Sequence, residues 1–309
     1  MFDALETGIG LDVILWLQDL RFGGLEGILR FLSLAGGELF YILILGLIYW
    51  AFNKQLGLRM FFALITISLL TSACKDLFAR PRPYQISDAV IPLFTEESFG
   101  IPSGHTSITL VFWGYLAVWF QKRSVTAAVI FYVAIQGLGR MLAGVHFPQD
   151  VLGGIVLGLL VLALFIRIEK PVSAFWNQRT MIQQAMLIGL LSGSLIVLVF
   201  LAFDDLARME SYLTMAGLLA GGGLAAGIEP RFIRFLPHTG RVRVITQYIL
   251  GIALCIGLLI GLKAAFAALD EVGRLAAVLR VVRYGLVAFT ALGLWPLLSI
   301  RSGLSQESA

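Results

Sequence analysis

The stretch "PQDVLGGIVLGLLVLALFIRIEK", residues 148–170, decides the fold. Between Asp150 and Arg167 lie 16 consecutive residues without a charge, and apolar side chains occur at every helical phase. A helix with no polar face sits in lipid or deep in protein, and with its flanks this run approaches the ~20 residues that cross a bilayer. The residues do not alternate apolar and polar, which excludes the strands of an outer-membrane barrel. Pro148 suits a first helical turn and places Asp150 within it.

Runs of this kind recur, giving expected spans near 38–54, 57–79, 104–121, 124–143, 149–168, 183–204, 212–229, 244–267 and 279–299. Over 309 residues the chain is 59% hydrophobic and 14% charged, against about 25% charged in soluble domains. The expected fold class is therefore all-α, a polytopic membrane helical bundle of about nine transmembrane helices. The earlier stretch "LDVILWLQDLRFGGLEGILRFLSL" is broken by Asp12, Gln18, Asp19, Arg21, Glu26 and Arg30. It fits one or two N-terminal amphipathic interfacial helices, with a short, tilted, protein-buried helix as the alternative.

The net charge of +4 reads as topology and not as a nucleic-acid surface. Lys54, Arg59, Lys122, Arg123, Arg167, Lys170, Arg179, Arg231, Arg234, Arg241, Arg243 and Arg301 fall on one side. The opposite loops carry Asp88, Glu96, Glu97, Asp204, Asp205, Glu210, Asp270 and Glu271, with Arg208, Arg274, Arg280 and Arg283 reducing the contrast. The basic side is expected to be cytoplasmic. Loops 80–103 and 144–148 then face outward, as in a multi-pass protein of a bacterial inner membrane with its site toward the periplasm. The start "MFDALETG" is acidic and carries no signal-peptide pattern. Cys74 and Cys255 fall within spans, so no disulfide framework is expected. At "EKPVSAFWNQRT", residues 169–180, the character changes. Residues 1–170 hold the unusual loops, and 171–309 form a Gly-, Ala- and Leu-rich module of about four helices.

Three outward stretches carry chemistry: "KDLFARPRP" with Lys75, Arg80 and Arg82; "PSGH", residues 102–105; and "GRMLAGVHFPQD" with Arg140, His146 and Asp150. Cations at helix ends often only snorkel to head groups. Here Lys75, Arg82 and Arg140 flank two histidines on the face that the topology rule leaves poor in cations, and together they describe a site for a tetrahedral anion. Ser103 and Gly104 open a span, so they read equally as a plain helix cap or as an anion site of free N–H groups. Asp150 either compensates a helix dipole or pairs with His146, fixing its tautomer. No Asp, Glu or His cluster has metal-ligand spacing.

As an ordered set, Lys-x6-Arg-Pro (Lys75, Arg82, Pro83), Pro-Ser-Gly-His (Pro102 to His105) and Arg-x5-His-x3-Asp (Arg140, His146, Asp150) resemble the three signature motifs of the type 2 phosphatidic acid phosphatase superfamily. The resemblance implies a metal- and cofactor-independent lipid phosphate phosphatase acting on a phosphomonoester or pyrophosphate. His146 is then the nucleophile that becomes a phosphohistidine, Asp150 orients it, and His105 is the general acid. Lys75, Arg82, Arg140 and the backbone N–H of Ser103 or Gly104 hold the phosphoryl oxygens. More weakly, "GGELFYILILGLIYW" and the later spans look like the sphingosine-1-phosphate phosphatase branch. The motif usually has Ser where Gly139 stands, which implies altered phosphate contacts. Arg80 is extra to the motif, and a head-group anchor is favoured over a substrate contact.

The implied partners are a membrane lipid phosphate and the bilayer, with no nucleic acid. Oligomeric state is not readable. Two other functions remain open: a lipid-linked phosphotransferase using the same phosphohistidine, and a transporter or scramblase with a relic motif. In the second half, Glu229, Arg231 and Arg234 read as packing plus a basic rim, and Lys263 within a span is costly in lipid. Trp50, Trp113, Trp119 and Trp295 are expected in the interface belt.

Overall fold

The computed structural model describes residues 6–238, 240–267 and 274–308. Asp270 and Glu271 of the expected acidic loops lie outside them. The described chain is helical apart from its connections and one two-stranded antiparallel ribbon, Phe235–Leu236 with Gln306–Glu307. Among the described residues seven helices are long and apolar enough to cross a membrane, or eight if Gly23–Ala35 and Leu39–Phe52 together make one span. The remaining expected span is Gly104–Phe120, of 17 residues. At 1.5 Å per residue it is about 26 Å long, just short of a ~30 Å hydrocarbon core, which is why nine is an approximate count. The chain is an integral, multi-pass membrane protein.

Two helices precede the spans: α1 (Leu11–Asp19) and α2 (Gly23–Ala35). At 9 and 13 residues neither can cross a bilayer alone. Each turns an apolar face inward. Ile14 packs with Val90 and Phe147, and Leu17 and Leu29 pack with Leu142, while Asp12, Asp19 and Arg30 stay exposed. The helices that carry the motifs are α3 (Lys54–Phe78), α4 (Gly104–Phe120), α5 (Arg123–Leu142) and α6 (Pro148–Asn177). The last continues well past the apolar run, through Pro171.

The chain forms two compact units. The first joins Met1–Tyr41 with Thr66–Ile168, and the second joins Ile42–Ile65 with Glu169–Ala309. In the first, α6 lies so close to the start of α4 that a Cβ on Gly154 would stand 2.7 Å from the carbonyl oxygen of Ser103. Only a residue without a side chain permits that approach, and it sets the first turns of these two helices side by side.

The second unit is held by helix backbones in contact and by paired polar groups. In α7 (Leu206–Ile228), a Cβ on Gly221 would fall 1.9 Å from the carbonyl oxygen of Gly285 in α8 (Arg274–Phe289). Lys54 pairs with Glu229 at 2.8 Å, and Glu229 also accepts from the backbone N–H of Phe235 at 2.7 Å. Arg231 donates to Gln184 Oε1 and to the carbonyls of Gly227 and Arg179, and Arg234 donates to Glu307. These residues serve packing and pairing and do not converge. Trp50 and Trp295 correct an expectation: both are buried, not in an interface belt. Trp50 Nε1 donates to the carbonyl of Ala291 at 2.9 Å, and Gly251 makes room for both rings. Trp119 is exposed, Trp113 is half-buried against Phe112 and Tyr132, and Lys263 projects from an exposed helix face.

Candidate active site

The site is built in the first unit, where helix ends meet the loop after α3. Lys75 lies in the last turn of α3, where a helix end favours a cation, and its Nζ donates to Ser98 Oγ at 2.7 Å. Ala79 turns the chain with a φ of 46°. Arg82 follows at the N-cap of the short helix Pro83–Ile86, its own N–H bonded to Gln85 Oε1. Its side chain is wholly buried, 0% exposed. The guanidinium donates to the carbonyls of Ser98 at 2.7 Å, Val145 at 2.8 Å and Phe99 at 3.2 Å, to Ser98 Oγ at 3.1 Å, and to His146 Nε2 at 3.2 Å.

His146 sits in the turn between α5 and α6. Its Nδ1 lies 3.2 Å from Asp150 Oδ2, which also accepts from the N–H of Phe147 at 2.9 Å. A carboxylate can only accept, so Nδ1 carries the proton and Nε2 keeps its lone pair, facing Arg82. Burial, and then the charges of Arg82, Arg140, Lys75 and His105, hold the His146 imidazole well below the ordinary histidine range. It stays neutral and able to attack an electrophile.

His105 occupies the first turn of α4, with Nε2 at 3.3 Å from the carbonyl of Ser33. Arg140, in the last turn of α5, donates to Ser33 Oγ at 3.2 Å and to Glu96 Oε1, with its guanidinium 4.9 Å from the Phe94 ring centre. Burial alone would raise the Glu96 carboxyl. Arg140, through charge and hydrogen bond, outweighs it and holds that carboxyl below its ordinary range.

Of the two alternatives for the backbone donor, Ser103 is engaged: its N–H donates to the carbonyl of Asp150 at 2.8 Å, and its hydroxyl accepts from Thr106. At Gly104, the first residue of α4, a Cβ would meet only Thr71, at 3.6 Å, so there is room beside its Cα. A Cβ on Gly139 would meet only Leu32 and Leu29, at 3.5 and 3.6 Å. A serine at 139 would face α2, so the expectation of altered phosphate contacts has no geometric basis. Arg80 is not free to anchor a head group. Its Nε donates to Glu6 Oε1 at 2.9 Å and its NH2 to Glu6 Oε2, and Glu6 is buried.

The structure thus brings Lys75, Arg82, Arg140 and His105 close enough to act on the charge of His146, with Asp150 hydrogen-bonded to it. Ser33, Glu96, Ser98 and Glu6 complete the site, and motif reasoning missed them. None belongs to a motif of fixed spacing, and the partner of each lies 16 to 107 positions away. Among the described residues no group of three or more His, Cys, Asp or Glu is placed to hold a metal ion.

A helical membrane fold with buried cations around a His–Asp pair marks a membrane protein whose site has the chemistry to suit an anion. Comparison with known families agrees. The "PAP2 superfamily" model matches residues 56–173, and "PAP2 superfamily phosphatase, transmembrane extension" matches 213–307. The chain belongs to the PAP2 superfamily. It is 27% identical over 193 residues to lipid phosphate phosphatase delta of Arabidopsis thaliana, covering 54% of this chain and 46% of that protein. It is 28% identical over 150 residues to dihydrosphingosine 1-phosphate phosphatase YSR3 of Saccharomyces cerevisiae, covering 45% and 37%. With phosphatidylglycerophosphatase B of Bacillus subtilis it shares 31% identity over 128 residues, covering 38% and 61%. The match spans less than two-thirds of each of these relatives.

Proposed function

We propose that this protein is a membrane lipid phosphate phosphatase that works through a phosphohistidine at His146. The observation that carries this reading is the orientation of His146: Nδ1 is tied to Asp150 Oδ2 and Nε2 faces Arg82. Nε2 attacks phosphorus, the bond from phosphorus to the lipid oxygen breaks, and His105 gives that oxygen a proton. Water then attacks the phosphohistidine and loses a proton to His105. Inorganic phosphate leaves and both histidines are restored. Lys75, Arg82, Arg140 and the N–H of Gly104 hold the phosphoryl oxygens throughout. Phosphoryl transfer needs mainly positioning and charge stabilisation, which fixed cations supply without a metal.

The substrate is a phosphomonoester or pyrophosphate carried by a lipid. The relatives are named for lipid phosphate, a sphingoid phosphate and phosphatidylglycerophosphate, and a membrane-embedded unit suits an apolar tail. The distribution of basic loops supports a site on the extracytoplasmic face of a bacterial inner membrane. Residues 1–170 are read as the catalytic part and 171–309 as a supporting module. The test is phosphate release by purified protein from lysophosphatidate, sphingosine phosphate, phosphatidylglycerol phosphate and undecaprenyl pyrophosphate, without an acceptor. Release should survive EDTA and be stopped by vanadate. Phosphate should also be trapped on His146 as an acid-labile, base-stable adduct. His146→Ala should lose at least about 10⁴-fold in kcat. Loss on chelation, strict dependence on an acceptor hydroxyl, or full activity in His146→Ala would each overturn part of the reading.

A further inference from the structure

The three cations assigned above to phosphate are all engaged by one short stretch, "EESF", residues 96–99. Lys75 donates to Ser98 Oγ, Arg82 to both oxygens of Ser98 and to the carbonyl of Phe99, and Arg140 to the Glu96 carboxylate. Among the described residues Glu96 is the carboxylate bonded to any of the three. Its backbone is fixed independently of its side chain: Tyr84 Oη donates to the Glu96 carbonyl at 2.9 Å and accepts from the Glu96 N–H at 3.1 Å. The pair is also asymmetric in burial, since the Glu96 side chain is 28% exposed and that of Arg140 only 2%. The carboxylate can swing to solvent while the guanidinium cannot follow. A buried cation left without its counter-charge is costly, so the carboxylate leaves readily only when another anion takes its place.

We infer that Glu96 is a displaceable internal anion: its carboxylate neutralises Arg140 in the resting site and yields to the incoming phosphoryl group. This inference rests on the phosphatase reading. Substrate and product phosphate both compete with Glu96 for Arg140, so Glu96 sets how tightly the site holds any tetrahedral oxyanion and helps expel inorganic phosphate after the reaction. Arg140 also keeps its place against Ser33 and Phe94 during the exchange.

The experiment compares wild-type protein with Glu96→Gln in detergent, using lysophosphatidate as substrate and orthovanadate and inorganic phosphate as competitive inhibitors. The neutral, isosteric side chain should lower both inhibition constants by about tenfold and lower KM with them, with kcat falling as phosphate release slows. If Glu96 merely orients Arg140, the same substitution has the opposite sign and both inhibition constants rise. Unchanged or raised constants overturn the proposal. Glu96→Asp, which keeps the charge on a shorter arm, provides the second measurement should Glu96→Gln not accumulate, and it should show a smaller fall. Failure of the phosphatase reading looks different: the wild type itself would then release no phosphate and ignore vanadate.

Discussion

Both units pair cations with carboxylates, the first through Arg140 with Glu96 and Arg80 with Glu6, and they differ at one buried cation. In the second, Lys54 is neutralised by Glu229, Arg280 by Glu210 and Arg234 by Glu307, and Arg231, which bonds only neutral oxygens, is exposed. In the first, Arg82 is fully buried yet bonds only to carbonyls, a hydroxyl and an imidazole nitrogen. A buried cation without a carboxylate is expensive, and a fold that retains one leaves a place for an anion that comes and goes. In the second unit the four cations named here are either paired with a carboxylate or exposed. A helical membrane protein can therefore be searched for its site by asking where buried charge is left uncompensated, more usefully than by counting polar residues.

The comparison breaks most directly at its extremes. Arg82→Lys keeps the charge but loses the fork of donors, and kcat should fall about 10²–10³-fold. Arg231→Lys should change kcat less than about twofold. Equal effects in a phosphate-release assay would erase the distinction. The converse change in the second unit is Glu229→Gln, which leaves Lys54 and the Phe235 N–H with a weaker partner. It should cost about 3 kcal/mol of stability, read as a lower thermal midpoint in detergent, with kcat of the folded protein unaltered.

The electrostatic side of the contrast can be sharpened with pH. His146 is held low by burial and then by Arg82, Arg140 and Lys75, so it is neutral above that lowered value and loses its lone pair only as pH falls through it. The acid limb of kcat/KM that belongs to His146 should lie below pH 6.5. Arg82→Met removes one positive neighbour and should move that limb upward, whereas Arg82→Lys should leave it in place. A limb indifferent to Arg82→Met would show that charge does not set it. The smallest effect is expected at Gly139→Ser. Its hydroxyl would face Leu29 and Leu32, and activity should change less than about threefold. A large change would mean that α2 shifts to let position 139 reach the site.

Most of the architecture was legible because apolar runs announce spans: 57–79 corresponds to Lys54–Phe78 and 124–143 to Arg123–Leu142. Ends were less legible where helix and apolarity part company. The helix from Pro148 runs to Asn177, beyond the last span residue, because water-exposed turns need helix propensity and not apolarity. The motif residues could be named because their spacing is local. Ser33 could not, since nothing in "RFLSLAGG" distinguishes a serine that meets both His105 and Arg140 from one that caps a turn. Glu96 and Glu97 are equivalent in sequence, and only Glu96 reaches Arg140. Trp50 and Trp295 misled because an aromatic near a span end looks the same in the interface and in a core. Gly251, which admits both rings, has no signature of its own.

The helix Lys54–Phe78 belongs to both units, with residues up to Ile65 in the second and residues from Thr66 in the first. Its early turns are held within the second unit: Lys54 by Glu229, and Phe61 by Gly222, where a Cβ would come within 2.3 Å of the ring. Lys75 rides on the far end of the same rod. A chain shortened to its first 170 residues would keep every motif and still leave Lys54 and Phe61, at the start of that helix, without Glu229 and Gly222.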